Sequence, residues 1–549
     1  MRKARSVDKV PFLAPDVVTK MIPAPTEGWD AISPLAGMDP KRAPILDNWV
    51  SRPGYVELRG GYAPFAHTLG ILPVETLMVY RSPTGEQMFA ASGTEIFEVT
   101  TGGGGVVVQS GLNSARWQYT NFTPSGGTNV IQLVNGVDQL RQYNGTVWTT
   151  PVITGLPGGT TAGIIHINSQ KRRLWYIMNN SSVAAFMPTD AISGAIAGTL
   201  DFGALWSKGG YLVAMSSWTL DGGSGPQDYA VFLSSRGQFT IYTGVDPTSS
   251  SDWRLVGTFD MAPPIGRRCM LRVGSDIGVI TQDGVIPISQ ALPFDPSADR
   301  SVAITARIQN AMSTAAMVAQ DHFGWQLLSF PTQQLAILNV PINGSNAGQM
   351  QFVMNALTGG WCRFIGWEAN CFEIFNDKCY WGGNSGAINR AYSGSADLVS
   401  AIAADMQCAY NWLDDPGRTK RMTMIQPLMT MGGSITPSIS IDTDFLASTA
   451  SVPVTSLSGG ALWDSAIWDT SVWPAQSITF SSWLSVTAIG HAMAIRMRVN
   501  INPYSDPASM GLFDFSHFDA AVFDGAVSDT LPILQVNAFN SIAELGGAI

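Results

Sequence analysis

Aspartates placed in a regular frame are the residues of this sequence that first suggest chemistry. Aromatic residues recur at every fifth position in LWDSAIWDTSVW (462–473) and again in LFDFSHFDAAVFD (512–524), and aspartates follow them in the same frame. Carboxylates repeated in this way could ligate a metal ion or act as general acids. Turn chemistry explains the regularity better, because an Asp side chain can accept a backbone hydrogen bond at each corner as an Asx turn. We therefore interpret these aspartates as turn formers.

The aromatic residues of the same two stretches are predicted to be structural. They are Trp463, Trp468, Trp473, Phe513, Phe518 and Phe523. A step of five fits neither the 3.6-residue period of a helix nor the two-residue period of a strand. It fits short extended pieces separated by corners, although three such pieces are too few to stack as a solenoid. We expect the two stretches to pack near each other as matching edges of one domain.

No other pattern points to catalysis, a metal ion or a cofactor. The five histidines lack H-x-x-x-H or H-E-x-x-H spacing, and no G-x-S-x-G elbow occurs. Asp442 and Asp444 lack the Gly and the closing Glu of a calcium loop, so we place them on the wet face of a strand. The run TGGGGVVV (101–108) lacks the GK[ST] of a phosphate loop and is predicted to be a loop leading into a strand. The sequence predicts a non-enzymatic protein with no catalytic, cofactor-binding or metal site.

Three small basic clusters leave two interpretations open. They are KRR (171–173), GRR (266–268) and GRTKR (417–421). A cluster of this kind could contact a nucleic-acid backbone. The favoured interpretation is a solvated turn or a salt link between subunits, because exposed charges often do nothing specific.

The charge balance argues against a protein that grips nucleic acid. The 549 residues carry a formal net charge of −10, and 13% of them are charged, whereas a protein that grips nucleic acid normally shows a basic excess. The 56 Gly and 32 Pro residues favour short strands joined by turns. Five cysteines without C-x-x-C spacing indicate a reducing compartment. No signal peptide or apolar run of membrane-spanning length is visible, so we expect a soluble intracellular product or one released by lysis.

A repeated hairpin predicts a β-propeller over residues 63–400. Seven segments read as strand, tight turn, strand, and their turns are spaced about 40 to 60 residues apart, as propeller blades are. These segments are residues 88–99, 130–143, 173–187, 229–242, 277–288, 325–338 and 378–392. Seven hairpins favour seven blades, and six are possible if one hairpin belongs elsewhere. An array of β-sandwich domains is the alternative.

The two ends of the chain have a different character from the middle. Residues 1–62 are Pro-rich and irregular, so we expect an N-terminal arm without a core of its own that packs on another part of the molecule. Residues 401–549 contain alternating strands separated by Gly, Ser and Pro, which predicts a β-sandwich-like platform domain. The best candidate for a helix is SADLVSAIAADM (395–406). The fold class is therefore all-β.

Two passages carry a resemblance to a known family. One is LDNWVSRPGYVELRGGY (46–62), with Asn48 and Trp49 at its start. The other runs from RTKRM through DTDF to LWDSAIWDTSVW, with PILQVNAFNSIAELGGAI at the end of the chain. Together they resemble the tail hub, or nozzle, proteins of short-tailed bacteriophages, often labelled DNA-stabilisation proteins. The resemblance implies that the N- and C-terminal parts form a platform from which the propeller projects.

The resemblance also implies a function and partners. Such hubs form a hexameric ring below the portal and its adaptor, retain packaged DNA, conduct double-stranded DNA during ejection, and anchor fibres or a needle. It implies a virion tail protein assembled in the cytoplasm of the host bacterium. Two other classes remain open. One is a phage-borne or secreted propeller that binds or depolymerises glycans, and the other is a monomeric propeller scaffold that binds peptides.

Overall fold

The computed structural model describes residues 16–221, 226–274, 276–292, 303–341, 349–398, 400–432, 435–454, 478–501 and 533–548. The protein is all-β, with a β-propeller and a packed pair of sheets. All seven hairpins predicted from the sequence are antiparallel strand pairs in this structure. They belong to seven successive sheets, which we number as blades 1 to 7.

Each blade is a small antiparallel sheet whose strands follow one another along the chain. Blade 1 comprises Val74–Ser82, Gly85–Ser92, Glu95–Glu98 and Val106–Gln109, and blade 2 comprises Gln118–Phe122, Val130–Val134, Arg141–Tyr143 and Trp148–Thr149. Blade 3 comprises Ile164–Gln170, Arg173–Met178, Val183–Phe186 and Gly198–Asp201, and blade 4 comprises Leu212–Asp221, Pro226–Ser234, Gln238–Thr243 and Arg254–Asp260. The described strands of blade 5 are Met270–Val273, Asp276–Thr281 and Gly284–Pro287. Blade 6 comprises Gln326–Phe330, Leu335–Pro341, Gln349–Asn355 and Trp361–Phe364.

A strand from the N-terminal part of the chain completes blade 7 and closes the propeller. Its strands Cys371–Phe375, Lys378–Gly382 and Ile388–Ala391 are followed by Tyr62–His67, which is antiparallel to Ile388–Ala391. The first strand of each blade packs against the adjoining blade, and that of blade 7 packs against the first strand of blade 1. The N-terminal part of the chain therefore completes the last blade, and the propeller has seven blades.

The middle strands of the blades are buried on both faces. Every side chain of Val130–Val134 and of Leu335–Pro341 is buried, which explains why these segments lack the regular apolar–polar alternation of a half-buried strand. Large aromatic residues fill the space between blades. Between blades 3 and 4, the Trp175 ring lies 5.3 Å from the ring of Phe232 and 5.7 Å from that of Trp253, measured between centroids.

Two sheets form the platform. The first, which we call the outer platform sheet, contains Ile478–Phe480, Leu484–Gly490, Arg418–Met431, Leu534–Ala548, Val17–Pro23, Tyr55–Leu58 and Trp49–Arg52. The second contains Ile45–Asp47, Ile402–Gln407, Met493–Ile501, Ser438–Thr443 and Val452–Pro453. The short strands Gly28–Trp29 and Arg42–Ala43 pair with each other, and Gly28 pairs with Trp361 in the last strand of blade 6. Apolar side chains of both sheets belong to one core, so the pair is a β-sandwich.

The second platform sheet is continuous with blade 6. The last strand of that blade, Trp361–Phe364, pairs in parallel with Ile45–Asp47, which in turn pairs with Ile402–Gln407. Backbone hydrogen bonding therefore runs without a break from the propeller into the platform. The segment predicted to be an arm supplies the strand at this junction.

The helix predicted at residues 395–406 is wrong. Ile402–Gln407 is a strand that pairs with Met493–Ile501 on one side and Ile45–Asp47 on the other. Sheet pairing on both edges outweighs the helix propensity of an Ala-rich segment. The described helices are Ile288–Ala291 and Gln309–Ala319, together with short 3-10 turns at Leu35–Gly37, Thr161–Gly163, Ala306–Ile308 and Pro331–Gln333.

The five cysteines lie in the described residues, and all are free and buried. None of the described helices has the length and apolar character needed to cross a membrane. The division of the chain into three domains at residues 62 and 400 stays a prediction. In the structure, strands from residues 17–67 belong to both platform sheets and to blade 7.

Candidate functional sites

Asn48 holds three parts of the molecule together. It is buried and has a left-handed backbone conformation with φ of 61°, which Asn tolerates better than most residues. Its Oδ1 accepts hydrogen bonds from Arg59 Nε at 2.8 Å and from the Ile365 N–H at 2.9 Å. Its Nδ2 donates to the Ala403 carbonyl oxygen at 2.7 Å, and its N–H donates to the Arg363 carbonyl oxygen at 2.7 Å. One side chain thus joins the motif to blade 6 and to the second platform sheet.

Arg59 is a fully buried cation whose donors are all used. Its guanidinium donates to both carboxylate oxygens of Asp397, at 2.8 and 2.6 Å. It also donates to the Gly60 and Ile365 carbonyl oxygens, and it lies 5.1 Å from the Trp367 ring centroid. A buried charge that is paired, hydrogen-bonded and stacked is costly to disturb, because removing it leaves Asp397 unpaired in the interior.

The other residues of the 46–62 motif are also structural. The Trp49 side chain is fully buried in the main core. Asp47 accepts two hydrogen bonds from Arg363, at 2.6 and 2.9 Å; burial raises the pKa of Asp47, and the Arg363 charge opposes that rise. A Cβ at Gly61 would lie 2.0 Å from the Ala396 carbonyl oxygen, so no larger residue fits there. The motif forms the joint between propeller and platform, which we call the propeller–platform joint.

The other predicted structural residues are Trp463, Trp468, Trp473, Phe513, Phe518 and Phe523. They lie outside the described residues, and so do the aspartates that follow them. The expectation that the two five-step stretches pack together stays a prediction.

The cluster at residues 171–173 is neutralised within the chain. Lys171 pairs with Asp228 at 2.6 Å, Arg172 with Asp190 at 2.5 Å and Arg173 with Asp246 at 3.1 Å, in each case between side-chain nitrogen and oxygen. Asp228 lies in a strand of blade 4, and Asp190 and Asp246 lie in the loops before the last strands of blades 3 and 4. These charges form salt links within one chain.

The cluster at residues 417–421 is also used internally. Lys420 is buried, and its Nζ donates to the carbonyl oxygens of Asp415, Arg418 and His491. Burial lowers the pKa of Lys420. Arg421 lies 3.9 Å from Glu544 on the neighbouring strand. Carbonyl oxygens at a strand end thus accept from the buried ammonium in place of a carboxylate.

The cluster at residues 266–268 is different, because it lines a cavity. The cavity has a volume of about 690 Å³ and lies where the first strands of blades 2 to 6 begin, at one mouth of the propeller axis. Its lining includes Arg116, Tyr211, Arg267, Arg268 and Phe323. Among the described residues, no carboxylate lies within ion-pair distance of Arg267 or Arg268. We call this space the axial cavity.

Phe323 is held between two guanidinium groups at the axial cavity. The guanidinium carbons of Arg116 and Arg268 lie 4.5 and 5.1 Å from its ring centroid. Arg268 Nη2 donates to Thr76 Oγ1 at 2.7 Å, and Arg116 Nε donates to Glu75 Oε1 at 2.9 Å. Cation–π contacts and these hydrogen bonds fix both guanidinium planes.

Among the described residues, Arg267 has one hydrogen-bond partner and no carboxylate partner. Its Nη1 donates to the Asn135 carbonyl oxygen at 3.0 Å. Burial lowers the pKa of Arg267, and the nearby Arg116 charge lowers it further. A cation that faces a like charge in a concave site is stabilised by an anion. Nothing in the GRR letters distinguished this cluster from the other two, because the blades that bring Arg116 and Arg267 together are distant in sequence.

The other residues examined for chemistry are structural in the described part of the chain. Asp442 is fully buried and accepts from Gln407 Nε2 at 2.6 Å, so its placement on a wet strand face was wrong. Asp444 follows the strand and accepts from the N–H groups of His491 and Ala492 in a turn. Buried Asp442 contacts polar groups of the adjoining strands, which an alternating pattern cannot reveal.

The cysteines and the possible metal ligands were compared with the described structure. They contain no group of three or more His, Cys, Asp or Glu side chains that could hold a metal ion. Burial raises the pKa of Cys269, Cys371 and Cys408 to about 12, which keeps these thiols protonated at neutral pH.

No family model matches the chain, and no curated protein matches it. Solved structures similar to it include a BBS1N–ARL6DN complex, with 13% identity over 44% of this chain and 75% of that chain at a TM-score of 0.28. Raptor of Chaetomium thermophilum has 9% identity over 62% of this chain and 29% of that chain, with a TM-score of 0.36. The extracellular domain of a one component system from B. thetaiotaomicron has 9% identity over 83% of this chain and 61% of that chain, with a TM-score of 0.38. These scores are too low to carry an argument about function.

Proposed function

We propose that this protein is a structural component of a bacteriophage tail, a hub that forms a hexameric ring and extends the channel through which DNA leaves the capsid. In this role it contacts a portal–adaptor ring on one side and fibres or a needle on the other. It works by assembly rather than by catalysis. The family resemblance of residues 46–62 motivates the proposal, and those residues build the propeller–platform joint.

The observation that carries the proposal is the exposed face of the outer platform sheet. Residues in register on antiparallel strands point to the same side of a sheet. One such row runs from Val17 through Glu544 and Arg421 to Ile489. Val17 and Ile489 are 59% and 61% exposed. The row therefore has exposed apolar residues at both ends and an ion pair at its centre.

A second row of the same face has one exposed apolar end and a polar pair beside it. Met21 is in register with Asn540, and Asn540 is in register with Gln426. Met21 is 63% exposed, and Asn540 Nδ2 donates to Gln426 Oε1 at 2.9 Å. Exposed apolar residues grouped on one face of a sheet mark an interaction surface in many proteins. A second copy of the chain is the occupant we propose, because a ring needs one lateral contact repeated around it.

The propeller–platform joint suits a part that bears load. Continuous sheet hydrogen bonding and the buried Arg59–Asp397 pair connect the propeller rigidly to the platform. A ring subunit with such a joint transmits force from a fibre or needle to the channel without a hinge. A formal net charge of −10 also suits a conduit, since DNA slides past a wall that does not bind phosphate.

Ring formation tests the proposal. The purified full chain is studied by mass photometry and negative-stain electron microscopy, alone and with the head-to-tail adaptor ring of the same virion. Six-fold rings are expected on the adaptor. A chain that stays monomeric at every concentration and never joins the adaptor contradicts the proposal, and so does hydrolysis of a polysaccharide at an enzymatic rate.

Paired variants locate the contact. Met21→Asp combined with Ile489→Asp places charges on the outer platform face, so rings are expected to dissociate while the thermal unfolding midpoint stays near that of the parent. Ile71→Asp is the matched control, because Ile71 is 91% exposed on the propeller. Rings that survive the double variant, or that dissociate equally with the control, exclude this face as the subunit contact.

A further inference from the structure

We propose that the axial cavity binds a phosphate monoester, with Arg116 and Arg267 as the groups that hold the phosphate. The inference is independent of the proposed tail function, because it rests on the side chains at the mouth of the propeller and not on the platform. It assigns a small-molecule site to a part of the fold other than the face proposed for ring assembly.

Free hydrogen-bond donors identify which arginines bind. Arg116 uses Nε on Glu75, and Arg267 uses Nη1 on the Asn135 carbonyl oxygen. Among the described residues neither the Nη groups of Arg116 nor Nη2 of Arg267 have a hydrogen-bond acceptor. Arg268 instead donates through Nη2 to Thr76 Oγ1 and the Glu75 carbonyl oxygen. Arg268 is therefore a positioning residue that fixes Phe323, and the other two arginines present donors to a ligand.

The arrangement favours a phosphate over a carboxylate. The solvent-exposed guanidinium groups of Arg116 and Arg267 present two separate edges to the cavity, and burial and the like charge of Arg116 lower the pKa of Arg267. A phosphate monoester has three terminal oxygens, which can accept from both guanidinium groups at once, whereas a carboxylate has two. Asp321 also lines the cavity and repels anions there, and Glu75 offsets part of the Arg116 charge. The site is therefore selective for an anion that contacts both arginines.

The size and lining of the cavity predict an organic group on the phosphate. A volume of about 690 Å³ is several times what an inorganic phosphate fills, and lies in the range of small-molecule sites. Beside the arginines the lining includes Tyr211, Val137, Ile165 and Val213. An aromatic or aliphatic group attached to the phosphate can pack on these side chains. Phe323 cannot offer both faces to it, because Arg116 and Arg268 already lie against that ring.

Isothermal titration calorimetry on the full chain tests the site with three probes: phenyl phosphate, inorganic phosphate and benzoate. Phenyl phosphate is expected to bind at least about tenfold more tightly than the other two, because it alone combines the organic group with three terminal oxygens. Binding is expected to weaken as salt rises from low to physiological concentration. Equal affinity for benzoate overturns the assignment to phosphate monoesters.

Three variants complete the test. Arg267→Gln and Arg116→Gln each remove one charged partner and are expected to weaken phenyl phosphate binding at least about tenfold. Arg172→Gln is the matched control, since Arg172 is exposed and paired with Asp190 on the propeller surface. A thermal unfolding midpoint that matches the parent shows that each variant folds. Phenyl phosphate binding that is absent from the parent, or unchanged in both cavity variants, overturns the proposal. Such a failure leaves ring assembly untouched, so the two proposals are separable.

Discussion

The arginines of this protein show how differently one residue type is used when charges are scarce. Arg59 is enclosed, and each of its nitrogens has a partner, so it contributes to the stability of the propeller–platform joint. Arg172 lies on the surface in an ion pair of the kind that contributes less than about 1 kcal/mol. Arg267 faces a cavity beside another cation. These three arginines cannot be told apart in the sequence. Only the tertiary structure shows which of them is buried in the joint, which lies in a surface ion pair and which faces the cavity.

At the same scale, replacing Arg59 is expected to be costly. Arg59→Met leaves the Asp397 carboxylate buried and unpaired, which destabilises the fold by about 3 to 5 kcal/mol. Urea unfolding followed by tryptophan fluorescence measures the change. Arg172→Met is the control and is expected to cost less than about 1 kcal/mol. Equal effects of the two substitutions contradict the assignment of Arg59 to the joint.

His166 makes the propeller sensitive to acid. Burial lowers the pKa of His166 from 6.5 to about 4, and its Nε2 lies 3.0 Å from the Met215 carbonyl oxygen. The unfolded chain takes up this proton more readily than the folded one. The contribution of neutral His166 to the free energy of unfolding is therefore fully present above pH 6.5. It falls as the pH drops toward 4, by up to about 3 kcal/mol.

His166→Gln is expected to flatten this acid dependence, measured as the difference in unfolding free energy between pH 7 and pH 4.5. His67→Gln is the control, because the His67 side chain is exposed. An unchanged difference in the His166 variant refutes a neutral buried imidazole.

At the scale of elements, local sequence patterns predicted the hairpins, whose two strands are neighbours in the sequence. Each of the seven hairpins joins two strands across a short turn, so turn chemistry and apolar runs were enough to find them. The strand at Ile402–Gln407 was missed because its partners, Ile45–Asp47 and Met493–Ile501, are far away in sequence. Asn48 and Trp49 were predicted to be structural, yet the hydrogen bonds of Asn48 with Arg363 and Ala403 could not be read from the motif.

Substitutions at two glycines of the 46–62 motif distinguish the free-energy cost of backbone strain from that of a steric clash. Gly54 has φ of +87° in the hairpin between Trp49–Arg52 and Tyr55–Leu58, with open space where a Cβ would lie. Gly54→Ala is expected to cost about 1 kcal/mol, the price of a left-handed Ala. Gly61→Ala places a Cβ 2.0 Å from the Ala396 carbonyl oxygen and is expected to cost about 3 kcal/mol. Urea unfolding measures both, and a reversed order contradicts the packing at the joint.

At the scale of the whole molecule, the circle of propeller blades is closed by a long-range strand pairing that no local pattern predicts. Tyr62–His67 completes blade 7 beside Ile388–Ala391. The sequence indicated seven hairpins but not which strand would join the last of them, because the closing strand lies before the first blade. The platform is predicted less completely for the same reason: its outer sheet interleaves strands from both ends of the chain.

Breaking the closure is expected to loosen two blades rather than one. Ala66→Pro removes a backbone donor from a buried position that pairs with Ile388. Hydrogen exchange is expected to rise in Ile388–Ala391 and in Val74–Ser82, which packs against blade 7. Thr149→Pro, on the exposed outermost strand of blade 2, is the control and is expected to affect that strand alone. Exchange that stays slow in blade 7 of the Ala66 variant contradicts closure by this strand.

The pairing of Val17–Pro23 with Leu534–Ala548 has a consequence for synthesis on the ribosome. Ser541 Oγ donates to the Lys20 carbonyl oxygen across 521 residues of chain. At a translation rate of about 5 to 20 residues per second, the early strand waits roughly 25 to 100 seconds for its partner. All seven blades can form in that interval, whereas the outer platform sheet cannot. A nascent chain that stops short therefore lacks the face proposed to contact its neighbours, so we expect truncated chains to be excluded from the proposed ring.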